Sequence, residues 1–185
     1  MSQVQTRLKA EDWIDAGFRA LVSQGPQALK AEPLARALNT TKGSFYWHFK
    51  DVPDFHARLL AAWQDQTADA IAQTIAQEDD PVKRLYRIGD SAGSVSRKRA
   101  AAKAEPAIRA WAYGDARVAK TVQHVDEKRM TALQDILSDL DLTNPDFAHI
   151  IHGAWIGLAA RSTGPKDNRN AMSTLMAAIL ALRDA

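Results

Sequence analysis

The side chains best equipped for chemistry lie together in "NTTKGSFYWHFK", residues 39–50. Thr41 and Ser44 bring hydroxyls, Lys42 and Lys50 ammonium groups, Tyr46 a phenol and His48 an imidazole. Two lysines, one histidine and no acid make the stretch locally basic, although the whole chain carries a net charge of only +2. Such a set suits charge-assisted contacts to phosphate without an extreme overall charge. Nothing in the chain has the pattern of a nucleophile elbow, a phosphate loop or a metal motif, so no catalytic residue, cofactor or metal ligand is assigned.

Phe45, Tyr46, Trp47, His48 and Phe49 are five consecutive rings, too many for a surface helix and too polar for a buried one. Helical spacing resolves the conflict. Phe45 and Phe49 lie one turn apart and point inward together. Lys42, Ser44, Tyr46, Trp47 and His48 are then left on the outer side. Gly43 has no side chain at the helix tip, so another backbone or a DNA strand can approach closely.

Elsewhere the candidates are sparser. Arg109, Trp111, Tyr113, His124 and Trp155 are the side chains suited to lining a small-molecule pocket, aromatic walls with a few polar groups. Trp111 stands just before the expected bend at Tyr113-Gly114-Asp115. His149 and His152 have a metal-like i,i+3 spacing but no third ligand that the sequence fixes nearby. His124 or His152 with Asp126 or Asp146 would be the working pair of a helical enzyme. "RKRAAAK", residues 97–103, reads as a solvated helix end, where cations favour the C-terminal dipole.

The elements that position these residues are all helical. The chain has 185 residues, 46% hydrophobic and 25% charged, with no cysteine, which excludes disulfides and thiolate chemistry. No secretory leader or membrane-spanning run is apparent, and a cytoplasmic protein is expected. Alanine and leucine dominate, and alternating β-branched runs are missing. A first helix is expected near 9–23, burying Ile14, Phe18, Leu21 and Val22. A short helix near 31–38, three turn residues and a helix near 42–49 follow. A long helix begins near Val52 behind Asp51. Asp80-Pro81 and Asn144-Pro145 each pair an N-cap with proline at the first helical position. Later helices are expected near 82–98, 106–112, 115–140, 145–161 and 169–183, with loops at Gly114, 141–144 and 164–168.

Two short helices joined by three residues make a helix-turn-helix, whose second helix can enter a DNA major groove. Asn39 tolerates the left-handed backbone such a turn needs. Thr41 is a good N-cap for the second helix.

The stretch "LARALNTTKGSFYWHFKD" resembles the DNA-binding signature of the TetR (tetracycline-repressor-like) family, over about residues 8–63. The resemblance implies an all-α fold: a DNA-binding domain over residues 1–52 and a regulatory and dimerisation domain over 53–185. It assigns Thr41, Tyr46, His48 and Lys50 to phosphate contacts, and Lys42, Gly43, Ser44 and Trp47 to the base edges. The chain departs from the family at Lys30, Glu32 and Val52, where the family often has a capping hydroxyl, a basic residue and a lysine. The implied function is a repressor that binds double-stranded operator DNA and answers to a small-molecule effector. The implied homodimer forms through the two C-terminal helices, whose Ala148, Gly153, Ala154, Gly157 and Ala159 permit close approach. A helical enzyme and a helix-turn-helix used only for protein assembly stand as alternatives.

Overall fold

Residues 8–93, 100–161 and 165–182 are described by a computed structural model. Among them the chain is all-α, with nine helices and one 3-10 turn. Helix α1 spans Ala10–Gln24, and the Asp12 carboxylate accepts from the Lys9 N–H at 2.7 Å at its start. It ends at Gly25, whose φ of 81° suits glycine alone. Its inner face holds Trp13, Ile14, Ala16, Gly17, Phe18, Ala20 and Leu21. Val22, expected inside, is 51% exposed, because Trp13 rather than Val22 completes the apolar face.

A 3-10 turn at Pro26–Ala28 leads to α2, Ala31–Ala37, and α3, Lys42–Tyr46. The third helix is shorter than the expected 42–49. The N–H groups of His48 and Phe49 both return to the Phe45 carbonyl at 3.0 Å, which tightens the chain into a turn after Tyr46. Helix α4, Val52–Ala76, is capped by Asp51, whose Oδ1 accepts from the Asp54 N–H at 2.8 Å.

The two proline-led starts behave as expected. Asp80 Oδ1 accepts from Val82 N–H at 2.8 Å at the head of α5, Pro81–Gly93. Asn144 Oδ1 accepts from Asp146 N–H at 3.0 Å at the head of α8, Pro145–Ala160. Helix α6, Ala100–Ala112, begins before Pro106 rather than at it. The proline is exposed, so the bond it forgoes with the Ala102 carbonyl faces water, where the loss is least costly. Lys103 therefore lies in the first turn of a helix, not its last, and residues 97–99 of the basic run fall outside the described residues. Helix α7 spans Ala116–Ser138 and α9 Pro165–Ala181, the latter starting earlier than expected because proline fits a first helical position. Gly164, expected in the loop before it, lies outside the described residues. No helix among them is long and apolar enough to cross a membrane.

The chain divides into two compact units. The first contains the residues up to Gln64 together with Lys98–Ala119. Its core is aromatic, with Trp13, Phe18, Phe45, Phe49, Phe55 and Trp63 essentially sealed from solvent. Helix α6 packs on α1 within it. The second contains Asp65–Arg97 and Lys120–Ala185. Its core is aliphatic, built on Leu85, Leu133, Leu137, Ala148, Ile151, Met172 and Met176.

Gly17 shows how closely α1 approaches α4. A Cβ there would lie 2.6 Å from both Leu59 Cδ1 and Phe55 Cζ. Both neighbours are fully buried and have no room to retreat. Gly17→Ala should therefore cost about 1–3 kcal/mol despite its better helix propensity. Urea unfolding checks this, and a variant as stable as the parent would show that α4 can shift.

Candidate nucleic-acid interface

The segment 39–50 is built outward from Phe45. Its ring meets Trp13 edge-on at 5.4 Å, Phe49 at 5.0 Å, Phe55 at 5.4 Å and Tyr46 edge-on at 5.3 Å. Edge-to-face pairs at such separations add to the energy of burial. They anchor a helix of five residues that would not persist alone.

The turn and cap hold the other end. Asn39 has φ 52°, the left-handed geometry expected for the residue that reverses the chain between α2 and α3. Thr41 caps α3, its Oγ1 accepting from the Ser44 N–H at 3.3 Å. Behind α3, the Asp54 carboxylate accepts from the Lys50 N–H at 3.0 Å and from Arg58 Nε at 3.1 Å. The Lys50 N–H holds the Asp54 carboxyl below its ordinary value, and Arg58 adds to the effect.

With Phe45 and Phe49 inward, the remaining side chains face solvent. Thr41, Lys42, Gly43, Tyr46, Trp47 and Lys50 are exposed, and Ser44 and His48 are half-buried. Trp47 is 83% exposed, so it contributes little to the domain's own packing. Ser44, Trp47 and His48 line a small depression of about 180 Å³ with Leu8. Lys42 is less free than its exposure suggests. Its Nζ lies 3.1 Å from Glu32 Oε1 on α2, and that hydrogen-bonded carboxylate raises the lysine pKa above its ordinary value. A basic, ring-bearing tip of this width is suited to phosphates and groove edges.

Residues 14–51 match the family described as bacterial regulatory proteins, tetR family. The match begins in α1 and ends at the cap of α4, so it covers the whole helix-turn-helix together with Phe45 and Phe49. That segment, about a fifth of the chain, is what resembles the tetR family in sequence. Over 83 residues it is 31% identical to an uncharacterized HTH-type transcriptional regulator, YwcC, of Bacillus subtilis (strain 168). That match takes in 45% of this chain and 37% of the relative, so the chain spans little more than a third of the curated relative's length. Two solved structures share the fold over nearly their whole length. A transcriptional regulator from Rhodococcus sp. Rha1 superposes with a TM-score of 0.78, covering 94% of this chain and 97% of that one at 16% identity. The fatty acid degradation regulator FadR from Bacillus halodurans gives 0.71, covering 97% of both chains at 11% identity. At such identities the likeness is one of fold.

The chain distributes its other candidates between the two units. In the first, Trp111 is nearly buried and meets His56 edge-on at 5.1 Å. Arg109 is paired with the buried Glu105 at 2.9 Å, and Tyr113 is 96% exposed. In the second, His124 is exposed on α7 near Glu127. Trp155 lies under the Arg129 guanidinium, 4.2 Å from the ring centroid. The five are thus not gathered into one cavity within either unit.

Two groupings lay beyond sequence reasoning. Glu32 and Lys42 are ten residues apart, and only the turn at Asn39 brings them together. Asp126, Arg129, His152 and Trp155 converge from α7 and α8, with His152 Nε2 3.3 Å and Arg129 Nη1 3.8 Å from Asp126 Oδ1. The His152–Asp126 pairing was legible only as one of several His/Asp combinations. Among the described residues no three His, Cys, Asp or Glu side chains could hold a metal ion.

The inward and outward residues of α3 should separate cleanly in stability. Phe45→Ala should cost about 3–5 kcal/mol, because it empties the centre of the aromatic cluster. Trp47→Ala should stay within about 0.5 kcal/mol of the parent. Equal losses in thermal unfolding would mean that Trp47 supports the fold.

Proposed function

We propose that this chain is a ligand-responsive, DNA-binding transcriptional regulator, most simply a repressor, working in the cytoplasm as a homodimer. The observation that carries this reading is the exposed, basic, aromatic tip of α3 on a rigid support. Paired copies would lay α3 in successive major grooves of a pseudo-palindromic operator. Thr41, Tyr46, His48 and Lys50 would grip phosphates. Lys42, Gly43, Ser44 and Trp47 would face the base edges. The part of the chain that reads DNA would end near residue 52, and the rest would bind effector and partner.

Gly43 supports the reading in a particular way. A Cβ there would meet only Thr41 Oγ1, at an ordinary 3.7 Å. The fold therefore does not require glycine at this position, whereas close approach by an outside surface would. Gly43→Ala should fold with unchanged or slightly raised stability yet bind DNA more weakly. The test uses duplexes that the full chain selects from a randomised pool, with affinity followed against salt concentration. Salt-independent binding, or no selected sequence, would remove the DNA-binding reading and favour a protein-assembly module.

For the dimer, α8 and α9 are the proposed contact. A Cβ added at Gly153 or Gly157 would find nothing within 4 Å, and Ile150 and Leu182 are more than half exposed. Gly157→Arg should therefore leave unfolding nearly unchanged while shifting sedimentation from dimer to monomer. A parent chain that sediments as a monomer at micromolar concentration would sink the bundle. For the effector, the Trp155 region is the best supported of the five candidate positions, because Arg129 and His152 place polar groups beside an aromatic wall. Arg109, Trp111, Tyr113 and His124 stay as secondary candidates.

A further inference from the structure

Glu32 stands out on the face that carries α3. From Lys30 to Lys50 the chain has Lys30, Arg36, Lys42 and Lys50 and a single acid, Glu32. That acid is not spent on the core. Its side chain is 67% exposed, and its partner Lys42 is 54% exposed. An exposed ion pair of this kind contributes little to folding. The two side chains bridge α2 and α3 across a shallow depression of about 350 Å³, lined also by Ala35, Arg36, Asn39 and Thr40. A carboxylate on a surface that must approach a polyanion is unfavourable unless it gains something there.

We propose that Glu32 is a specificity-determining residue, which tethers Lys42 in the free protein and, with it, reads a C·G base pair. The inference rests on the DNA-binding function proposed above. In the major groove, cytosine presents its N4 amino donor beside the O6 and N7 acceptors of guanine. The Glu32 carboxylate and the Lys42 ammonium, 3.1 Å apart, offer the complementary acceptor and donor. An A·T pair also offers a donor, but sets it between two single acceptors, adenine N7 and thymine O4, whereas a C·G pair sets its donor at one side of the adjacent acceptors O6 and N7, where one ammonium can meet both. On unrelated sequence the phosphates must draw Lys42 away from Glu32 while meeting the carboxylate's own charge. Glu32 thus weakens indiscriminate binding and restores affinity only at a matching pair.

The test compares the full chain with Glu32→Gln on a duplex selected from a randomised pool and on a scrambled duplex of the same composition. The parent should enrich a C·G pair at one position in each half-site. Glu32→Gln should lose that enrichment and reduce the operator-to-scrambled ratio by about tenfold. It should also bind scrambled DNA more tightly, with a salt slope steeper by about 0.9, as expected when one more cation is free to meet a phosphate. In a Lys42→Met background the gain on scrambled DNA should shrink to what the lost carboxylate repulsion gives, and the steeper salt slope should disappear. An unchanged enrichment and salt slope in Glu32→Gln overturns the proposal, as does an equal loss on both duplexes. The same gain in the Lys42→Met background overturns the tether. If the parent itself selects no sequence and shows no salt dependence, the DNA-binding function fails first and Glu32's role falls with it. Unfolding of Glu32→Gln, expected to match the parent, separates these outcomes from a folding defect.

Discussion

Everything on the candidate interface depends on the burial of one ring, Phe45. A five-residue helix has too few internal hydrogen bonds to offset its own ordering. Phe45 supplies what the helix lacks by meeting Trp13, Phe49 and Phe55 at ring separations of 5.0–5.4 Å. Trp13 belongs to α1 and Phe55 to α4, so α3 is clamped between those two helices. The clamp also fixes the direction of the other side. Once Phe45 is sealed, Lys42, Tyr46 and Trp47 have no route into the core. The outward presentation of the tip is the geometric remainder of the inward packing.

Glycines in the described residues serve different ends. Gly17 is small because Phe55 and Leu59 occupy the space a side chain would need. Gly25 is glycine because its φ of 81° disfavours any other residue. Gly43 and Gly157 answer to neither constraint, since each has room for a Cβ and no positive φ is found there. A residue whose smallness the isolated chain does not explain points to something outside the chain. Gly43 lies on the face proposed for DNA, and Gly157 lies on the face proposed for a second copy.

Much of this was legible in the sequence, for local reasons. Thr41, Asp51, Asp80 and Asn144 act through neighbours two or three positions away, and spacing alone determines such contacts; Asn39 acts through its own backbone, with φ 52°. The inward pair Phe45 and Phe49 follows from the helical period. What was not legible depends on the path between distant segments. Val22 was placed inside because the period allows it, but Trp13 is larger and fills that face instead. Glu32 read as a departure from the family because nothing in a linear sequence reveals that Lys42 lies 3.1 Å away. Trp111 stood near a bend, and nothing in the linear sequence reveals that His56, more than fifty residues earlier, lies against its ring. The end of α3 was misjudged for a subtler reason, since a tight turn at 47–49 keeps Phe49 inward just as a continued helix would.

The separation of inner and outer residues has a consequence for how such a domain can change. Substitutions at Phe45, Phe49, Phe55 or Trp13 alter packing that holds several elements at once, so they cost stability wherever they occur. Those at Lys42, Ser44 or Trp47 touch little of the core and leave the scaffold standing. Recognition can therefore be rewritten on a constant support, one side chain at a time. The Glu32–Lys42 pair lies at the boundary between the two regimes. It belongs to the outer face, where an exposed ion pair is weak and readily exchanged. It also links α2 to α3, so a change at either residue alters the electrostatics of its partner as well as its own contact. Under the proposed function, sequence preference on such a surface would be set by pairs of residues, and a single substitution in the pair need not have the effect its chemistry alone would suggest.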